Sequence, residues 1–175
     1  MTVPQHPGLP VYAFCPMCAA PLEWRDLGGR PRRACPVCGF VHWPNPGVGA
    51  AAVVRDAAGR VLLVRRASGA TQAGLWSVPA GFVDAGEEVR AAARRELEEE
   101  TGLVAEIGEV LQVASNFHDP AKPTVGVWFA ARVTGGELHA GDDADEAGFF
   151  SLDGLPELAF PTDEMLLARL RRSEG

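Results

Sequence analysis

The fold is decided by the stretch from Gly81 to Leu103, which reads GFVDAGEEVRAAARRELEEETGL. Its first part is rich in turn-forming residues, and Asp84 is a candidate cap for the helix that follows. From about Glu87 to Thr101 the residues are good helix formers, with acidic side chains in the predicted first turn. Gly102 stands where the helix should end, because glycine adopts the left-handed conformation of a helix C-terminus without steric cost. The stretch therefore predicts a loop followed by a helix.

One side of the predicted helix carries small apolar residues together with glutamates. At about 100° per residue, these residues form a single stripe that should face the protein interior. The stripe consists of Val89, Ala92, Ala93, Glu96, Glu99 and Glu100. Arg94 and Glu98 fall on the opposite side, and their spacing of one turn allows an ion pair. The helix is thus predicted to be amphipathic, with carboxylates on its inward side.

The inward glutamates favour a metal site over a charged surface. A run rich in glutamate is usually a solvent-exposed helix face, and Glu98 fits that interpretation. Glu96, Glu99 and Glu100 fit it poorly, because they continue the stripe that faces the protein. Carboxylates gathered there would repel one another without a cation among them, and Mg²⁺ or Mn²⁺ prefers oxygen ligands of this kind. We therefore predict a divalent metal site on this helix.

The spacing of the stretch resembles the Nudix box at every constrained position. The matching residues are Gly81, Glu87, Arg95, Glu96, Leu97, Glu99, Glu100, Gly102 and Leu103. At ordinary residue frequencies, a chance match at nine positions occurs in about one window in 10⁸ or fewer. Nudix enzymes hydrolyse a nucleoside diphosphate linked to another moiety, and they bind divalent metal on this loop and helix. The resemblance therefore implies a metal-dependent hydrolase.

The same resemblance implies roles for individual residues. Three glutamates would hold metal or activate water, namely Glu96, Glu99 and Glu100. The carbonyl of Ala80 would be a further metal ligand. Gly81, Glu87 and Arg95 would brace the loop against the helix rather than take part in the chemistry.

Two glutamates are candidates for the general base. Glu96 is the first, because it is the nearest to the loop. In this family the base is often an acidic residue outside the box, and the segment 141–150, GDDADEAGFF, supplies one. Glu146 lies three residues before the predicted strand at Phe149, where many relatives place an additional ligand or base. An acidic solvent-exposed loop is the alternative for Asp142, Asp143 and Asp145.

Four cysteines in two CxxC pairs, separated by sixteen residues, predict a structural zinc site near the N-terminus. The ligands would be Cys15, Cys18, Cys35 and Cys38. Four thiolates leave tetrahedral zinc no open position for a substrate, so the ion would be structural. It would stabilise the fold of a segment whose own hydrophobic core is too small. Two disulfides, a catalytic zinc and a redox dithiol are the alternatives. Arg30, Arg32 and Arg33 would contact nucleic acid or, alternatively, form a solvated hairpin.

The remaining chain predicts one larger domain. Pro44–Gly47 is a cluster of helix and strand breakers, so we place a zinc ribbon at residues 1–44 and a Nudix hydrolase domain at 45–175. Strands are expected at 48–54, 61–65, 104–115, 124–133 and 149–152, with the first two paired antiparallel. A C-terminal helix is expected at 162–172, capped by Thr162. The predicted fold class is α+β, an α/β/α sandwich with a mixed sheet, preceded by the zinc ribbon.

The segment Asn116–Asp119 is predicted to border the second moiety of the substrate. Phe117 could stack on a base, His118 could donate to a phosphate or a ribose, and Asp119 completes this group of candidate contacts. Nudix enzymes of the NADH pyrophosphatase type carry a Ser-Gln-Pro-Trp-Pro-Phe-Pro array downstream of the box, and this sequence lacks it. The order of ribbon, boundary and box looks more like the branch that acts on ADP-ribose and flavin adenine dinucleotide (FAD).

Composition restricts the remaining functions. A net charge of −7 argues against a nucleic-acid or anionic-membrane surface, and no stretch approaches the roughly 18 apolar residues of a membrane span. No signal peptide is visible, so a cytoplasmic location is expected. The expected partner is a small nucleotide substrate, and the family resemblance also implies a homodimer. The alternatives to an ADP-ribose or FAD pyrophosphatase are an NADH or NAD-capped RNA pyrophosphatase and a non-catalytic nucleotide sensor or nucleic-acid-binding regulator.

Overall fold

The structure is a computed structural model that describes residues 12–116, 119 and 122–173. The chain divides into two compact units, the first comprising Met1–Pro46 and Asp119–Pro123 and the second comprising Gly47–His118 and Thr124–Gly175. Within the described ranges, neither helix is long and apolar enough to cross a membrane.

The first unit is a small antiparallel sheet with a minimal core. Its strands are β1 (Glu23–Asp26), β2 (Pro31–Ala34) and β3 (Val41–His42), in the order β1-β2-β3. One buried cluster contains Cys15, Leu22 and Cys35, with Ala20 and Phe40 packed against it, and Ala34 is buried as well. The burial of these few apolar side chains does not offset the conformational entropy that the segment loses on folding. This unit therefore needs a cross-link or a metal.

The second unit contains two sheets and two helices in its described residues. The elements are β4 (Gly47–Val54), β5 (Val61–Arg66), β6 (Trp76–Ser77), β7 (Ala80–Phe82), α1 (Val89–Thr101), β8 (Leu103–Asn116), β9 (Thr124–Gly136), β10 (Ala144–Phe150) and α2 (Pro161–Arg172). One sheet has the order β7-β4-β9-β8, with β4 and β9 parallel and the other pairs antiparallel. The other sheet has the order β10-β5-β6 and is antiparallel.

Strand β4 separates two layers of core. Its residues at 50, 52 and 54 pack on the side of α1, where Leu97 is fully buried. Its residues at 51 and 53 pack on the side of α2, where Leu166 and Leu167 are fully buried. Alternation along a strand directs successive side chains to opposite faces, and burying each leucine contributes about 1.5–3 kcal/mol. A mixed sheet lies between two helices, so the predicted fold class is confirmed.

The predicted pairing of the first two strands of this unit is wrong. β4 pairs with β7 and β9, whereas β5 pairs with β6 and β10. A single bridge between Arg55 and Val61 joins them at the turn. Both strands are buried on both faces, so hydrophobic alternation does not indicate which neighbour each one takes. The intervening turn does form, because the Asp56 carboxylate accepts the backbone N–H groups of Ala58 and Arg60 at 2.9 Å.

Both predicted helix caps are corrected by the structure. Glu88, not Asp84, caps α1, because its side chain accepts the N–H groups of Arg90 and Ala91. The acidic residues therefore precede the helix rather than fill its first turn. At α2 the cap position is Phe160, followed by a proline at the first helical position, so Thr162 lies inside the helix. The predicted end of α1 is confirmed, since Gly102 has φ 68°.

Candidate active site

Arg95 connects helix α1 to the segment before it, residues 81–88, which we call the box loop. Its Nε and Nη2 donate to the two carboxylate oxygens of Glu87 at 2.9 and 3.0 Å, and Nη2 also donates to the carbonyl of Phe82 at 3.1 Å. Glu87 in turn accepts the backbone N–H of Asp84 at 3.0 Å. The Arg95 hydrogen bonds, followed by the Asp84 N–H, lower the pKa of Glu87 to about 2. A bidentate pair of this kind fixes both position and orientation.

The ion pair between Arg95 and Glu87 should make the stability of the protein depend on pH in the acid range. The folded pKa of Glu87 lies below its unfolded value of 4.5, so the pair stabilises the protein above about pH 4.5, and this stability is lost as the pH falls towards 2. We expect the Tm of Glu87→Gln to depend less steeply on pH across this window than that of wild type. Thermal unfolding followed by circular dichroism at several pH values measures the slope. Glu98→Gln, on the exposed side of α1, should keep the wild-type slope. Equal slopes for Glu87→Gln and wild type would contradict the assignment.

Glu96 lies between Arg95 and the backbone of the loop. Arg95 Nη1 donates to Glu96 Oε1 at 2.6 Å and to Glu99 Oε2 at 2.9 Å. Glu96 is 9% exposed, and a Cβ atom at Gly81 would lie 2.1 Å from its carboxylate carbon. Only glycine at position 81 therefore allows this approach. Burial raises the pKa of Glu96, Arg95 opposes the shift, and the charges of Glu99 and Asp142 add to it.

The substitution Gly81→Ala tests whether the close contact between the Gly81 backbone and the Glu96 carboxylate matters for metal binding. The added methyl group would displace the Glu96 carboxylate, which stands at the end of a flexible side chain, so the cost to folding should be small. We expect Mn²⁺ affinity to fall about 10- to 100-fold, the range seen when metal ligands lose their positioning partners, with Tm close to wild type. Gly49→Ala on β4 is the matched control, because its Cβ would meet only the Gly81 carbonyl at 3.5 Å. Equal Mn²⁺ affinity in the two variants, measured by electron paramagnetic resonance, would refute the prediction.

Glu100 is the most deeply buried carboxylate of the box. It is 2% exposed, and its Oε2 accepts the backbone N–H of Ala80 at 3.1 Å. Burial, reinforced by the charge of Asp143, raises the pKa of Glu100 to about 9, although the Ala80 N–H and the Arg66 charge act in the opposite direction. Without a cation beside it, the neutral form of Glu100 is therefore favoured at neutral pH, and a bound cation would stabilise the ionised form instead.

The structure separates Glu99 from the buried stripe. Glu99 is exposed, whereas the buried positions around it on α1 are taken by Glu96, Leu97, Glu100 and Thr101. The helical wheel placed Glu99 at the edge of the stripe, and the side chain turns outward to Arg95. The prediction that all three glutamates face inward is thus wrong for Glu99.

The acidic segment before Phe149 differs from its predicted form. The strand expected from residue 149 begins at Ala144 as β10, so Glu146 lies inside the strand rather than before it. The Glu146 side chain is 55% exposed and forms an ion pair with Arg65 at 2.9 Å. Asp142 and Asp143 are the residues whose charges reach Glu96 and Glu100. The backbone N–H of Gly141 donates to the carbonyl of Glu100 at 3.1 Å, and this bond brings Asp142 and Asp143 close to the box glutamates. No sequence pattern indicates this contact.

The box carboxylates do not form a ready-made ligand cluster. Among the described residues, only the four cysteines form a group of three or more potential ligands whose donor atoms all lie within 4.8 Å of one another. Glu96 and Glu99 are held by Arg95, whereas Glu100 is held by Ala80. The donor chemistry nevertheless fits a hard divalent cation, because two buried carboxylates with raised pKa values stand beside exposed backbone of the loop. A cation there would replace the charge compensation that Arg95 supplies to Glu96 and Glu99.

The cysteine cluster fits zinc. Sγ of Cys15 lies 3.5 Å from Sγ of Cys38, and the same distance separates Cys18 from Cys35, with no disulfide among the four. Backbone N–H groups point at the sulfurs, from Met17 to Cys15 at 3.4 Å and from Cys38 to Cys35 at 3.5 Å. Hydrogen bonding to the Cys38 N–H lowers the pKa of Cys35 to about 6 and favours its thiolate, whereas the neighbouring thiols and burial raise the pKa values of Cys18 and Cys38.

The arginines near the cysteines are already engaged. Arg32 and Arg33 lie in β2 rather than on a loop. The Arg32 guanidinium lies 5.3 Å from the ring centre of Trp43, and that of Arg33 lies 5.2 Å from that of Trp24. Arg33 also donates to the carbonyl of Leu22 at 2.8 Å. These contacts place both guanidinium groups against the small sheet and stabilise it.

The structure describes only part of the predicted substrate loop. Phe117 and His118 lie outside the described residues. Asp119 groups with the first unit, and its carbonyl accepts the N–H of Lys122 at 3.0 Å. Trp76 packs against the α2 side of the core, with its ring centre 4.7 Å from that of Phe150.

Comparisons with known proteins cover both units. A family model of the NUDIX domain matches residues 45–170, and a zinc-ribbon model described as Nudix N-terminal matches residues 13–43. The crystal structure of a NUDIX hydrolase from Nitrosomonas europaea superposes with a TM-score of 0.80 at 29% identity, covering 94% of each chain.

Two relatives differ in how much of the chain they match. ADP-ribose pyrophosphatase from Methanocaldococcus jannaschii is 40% identical over 117 residues, which is 66% of this chain and 69% of that protein. NAD-capped RNA hydrolase NudC from Chromobacterium violaceum is 33% identical over 153 residues, which is 86% of this chain. Those residues are 54% of the relative, so the chain spans about half the length of that protein.

Proposed function

The chain belongs to the Nudix hydrolase family, and from this we propose that it is a divalent-metal-dependent pyrophosphatase whose substrate is ADP-ribose. FAD and related dinucleotides belong to the same proposed substrate class. The observation that carries the proposal is the burial of two carboxyl groups, Glu96 and Glu100, beside the backbone of Ala80 and Gly81, where burial raises their pKa values and a bound cation would favour their ionised forms. The 40% identical ADP-ribose pyrophosphatase supports this choice of substrate.

The residues of the box would bind the metal that such a substrate needs. A pyrophosphate carries negative charge, so an acidic site would repel it without cations. We assign Glu96, Glu99, Glu100 and the Ala80 carbonyl as ligands of Mg²⁺ or Mn²⁺. The bound metal would neutralise the phosphates and lower the pKa of the attacking water. Arg95 would keep its hydrogen bonds to Glu87 and thereby hold the loop on α1.

Hydrolysis then requires one water and one base. The water oxygen attacks a phosphorus atom, the bridging P–O bond breaks, and Glu96 accepts the proton that the water loses. For ADP-ribose the products are AMP and ribose 5-phosphate. Glu96 is favoured over Glu146, because Glu96 is buried beside the loop whereas Glu146 is half exposed and paired with Arg65.

The second candidate function is hydrolysis of NAD-capped RNA. It is favoured by the match to NudC, which covers 86% of the chain, against 66% for the ADP-ribose pyrophosphatase. The missing specificity array of the NADH pyrophosphatase type and the net charge of −7 argue against it. A non-catalytic sensor would not need buried carboxylates on the box helix, so we place it third.

A competition panel tests the proposal. The purified protein is assayed with Mg²⁺ or Mn²⁺ for nucleoside monophosphate release from ADP-ribose, FAD, NADH and NAD-capped RNA. We expect kcat/KM for ADP-ribose or FAD to exceed that for NADH and NAD-capped RNA at least about tenfold, a difference of about 1.4 kcal/mol in transition-state binding. A preference for NAD-capped RNA would replace the proposed substrate with the second candidate, and inactivity on all four would favour the sensor.

A further inference from the structure

A buried carboxylate outside the box connects helix α2 to the box loop. Asp163, in the first turn of α2, is only 2% exposed. Its Oδ1 accepts the indole N–H of Trp128 at 2.8 Å, and its Oδ2 accepts the backbone N–H of Val78 at 3.2 Å. A buried carboxylate is costly unless both oxygens are hydrogen-bonded, and here each oxygen has its own donor. One side chain thus joins three segments that are distant in the sequence.

The Val78 contact leads directly to the candidate site. Val78 is two residues before Ala80, whose N–H binds the Glu100 carboxylate at 3.1 Å. Between them, the carbonyl of Pro79 accepts the N–H of Ala52 in β4 at 3.0 Å. The segment Val78–Ala80 is therefore fixed in turn by α2, by β4 and by the box helix. A shift at Val78 would move the Ala80 backbone relative to Glu100.

We propose that Asp163 is a positioning residue of the hydrolytic site, which sets the place of the Ala80 backbone through Val78. The role rests on the proposed function, because it matters for turnover only if Ala80 and Glu100 bind the catalytic metal. Asp163 itself touches neither of them, so it acts through the backbone of Val78–Ala80. The Trp128 contact anchors the carboxylate to β9 and leaves the second oxygen aimed at Val78.

The charges around Asp163 fit a carboxylate held by hydrogen bonds more than by ion pairing. Burial raises its pKa to about 6, and the bonds from Trp128 and Val78 act in the opposite direction. Arg66 lowers the pKa through its charge, whereas the neighbouring Glu164 raises it. Arg66 is committed elsewhere, since it pairs with Asp143 at 3.6 Å and lies over the ring of Phe160.

A role confined to folding is the competing explanation, and two control variants separate it from positioning. Asp163→Asn keeps the size of the side chain but leaves one acceptor for two donors. Trp128→Phe removes a donor and leaves the Val78 bond intact. Glu164→Gln makes the same charge change one residue along, on the exposed side of α2. A folding role predicts that kcat is spared in every variant that remains folded.

We expect Asp163→Asn to lower kcat for ADP-ribose about 10- to 100-fold with KM within about threefold, as small misplacements of reacting groups do. Trp128→Phe should have a lower Tm than wild type, with kcat within about threefold of wild type. Glu164→Gln should match wild type in both Tm and kcat. Wild-type kcat in folded Asp163→Asn would overturn the proposal, as would equal losses of kcat in Asp163→Asn and Trp128→Phe. If Asp163→Asn does not fold, Asp163→Ser is assayed in its place.

A second readout does not depend on activity. Amide hydrogen exchange at Ala80, followed by nuclear magnetic resonance, reports on the Ala80–Glu100 hydrogen bond. We expect exchange at Ala80 to be at least about tenfold faster in Asp163→Asn than in Trp128→Phe, and an equal rate in the two would overturn the positioning role. If wild type hydrolyses none of the nucleotides, the proposed function fails while this measurement still decides whether Asp163 positions Ala80.

Discussion

Glu100→Gln is expected to abolish most turnover while leaving the fold intact. Glutamine keeps the volume of the side chain and still offers an oxygen to the Ala80 N–H, but it carries no charge for a metal. Losing several kcal/mol of charge stabilisation corresponds to a fall in kcat of about 10²- to 10³-fold. Because Glu100 is 2% exposed and its raised pKa already favours the neutral form without metal, Tm in the absence of metal should change little.

The measurement pairs the kcat of AMP release from ADP-ribose with Mn²⁺ affinity. Glu98→Gln serves as the matched control, because it makes the same change two residues earlier on the exposed side of α1. We expect Glu98→Gln to behave as wild type in both assays. Near wild-type turnover and Mn²⁺ affinity in Glu100→Gln would show that the buried carboxylate does not bind the metal.

Cys15→Ser is expected to remove the zinc and unfold the first unit. Cys15 is 3% exposed, its sulfur lies 3.5 Å from that of Cys38, and the unit has few other buried apolar residues. In small zinc domains the metal supplies about 10–16 kcal/mol of apparent folding free energy, far more than such a core provides. The second unit has its own core on both sides of β4, so its chemistry should persist in the variant.

Zinc content per chain, measured by mass spectrometry, and limited proteolysis of residues 12–46 test this expectation. Met17→Ser is the control, because Met17 lies between two of the cysteines but is 74% exposed and offers no thiolate. Wild type and Met17→Ser should carry about one zinc per chain and resist cleavage. A wild-type content well below one, or one zinc retained in Cys15→Ser, would contradict the structural zinc site.

The features that could be predicted from the sequence depend on neighbouring residues. The end of α1 followed from Gly102, because glycine at a helix C-terminus has a local steric cause. The cysteine cluster followed from the spacing of the two CxxC pairs, and the structure brings all four cysteines together. The placement of a mixed sheet between two helices followed from the order of strand and helix patterns and from the family resemblance.

The features that were missed depend on contacts between distant segments. The partners of β4 and β5 could not be read from strands that are buried on both faces. The bond from Trp128 to Asp163 spans 35 residues, and that from Val78 to Asp163 spans 85, so no local pattern marks the buried carboxylate. Likewise, the sequence predicts the last strand only from residue 149, because the acidic residues before it conceal the part of β10 that contains Glu146 and pairs with β5.

We propose that this Nudix hydrolase cleaves ADP-ribose with a divalent metal bound at the box. The most direct measurement is the rate of AMP and ribose 5-phosphate formation from ADP-ribose as Mg²⁺ or Mn²⁺ is titrated into metal-free protein. We expect equal amounts of the two products, a rate that saturates with metal, and loss of activity when a chelator is added. Hydrolysis that is unchanged by the chelator, or its absence at every metal concentration, would contradict the claim.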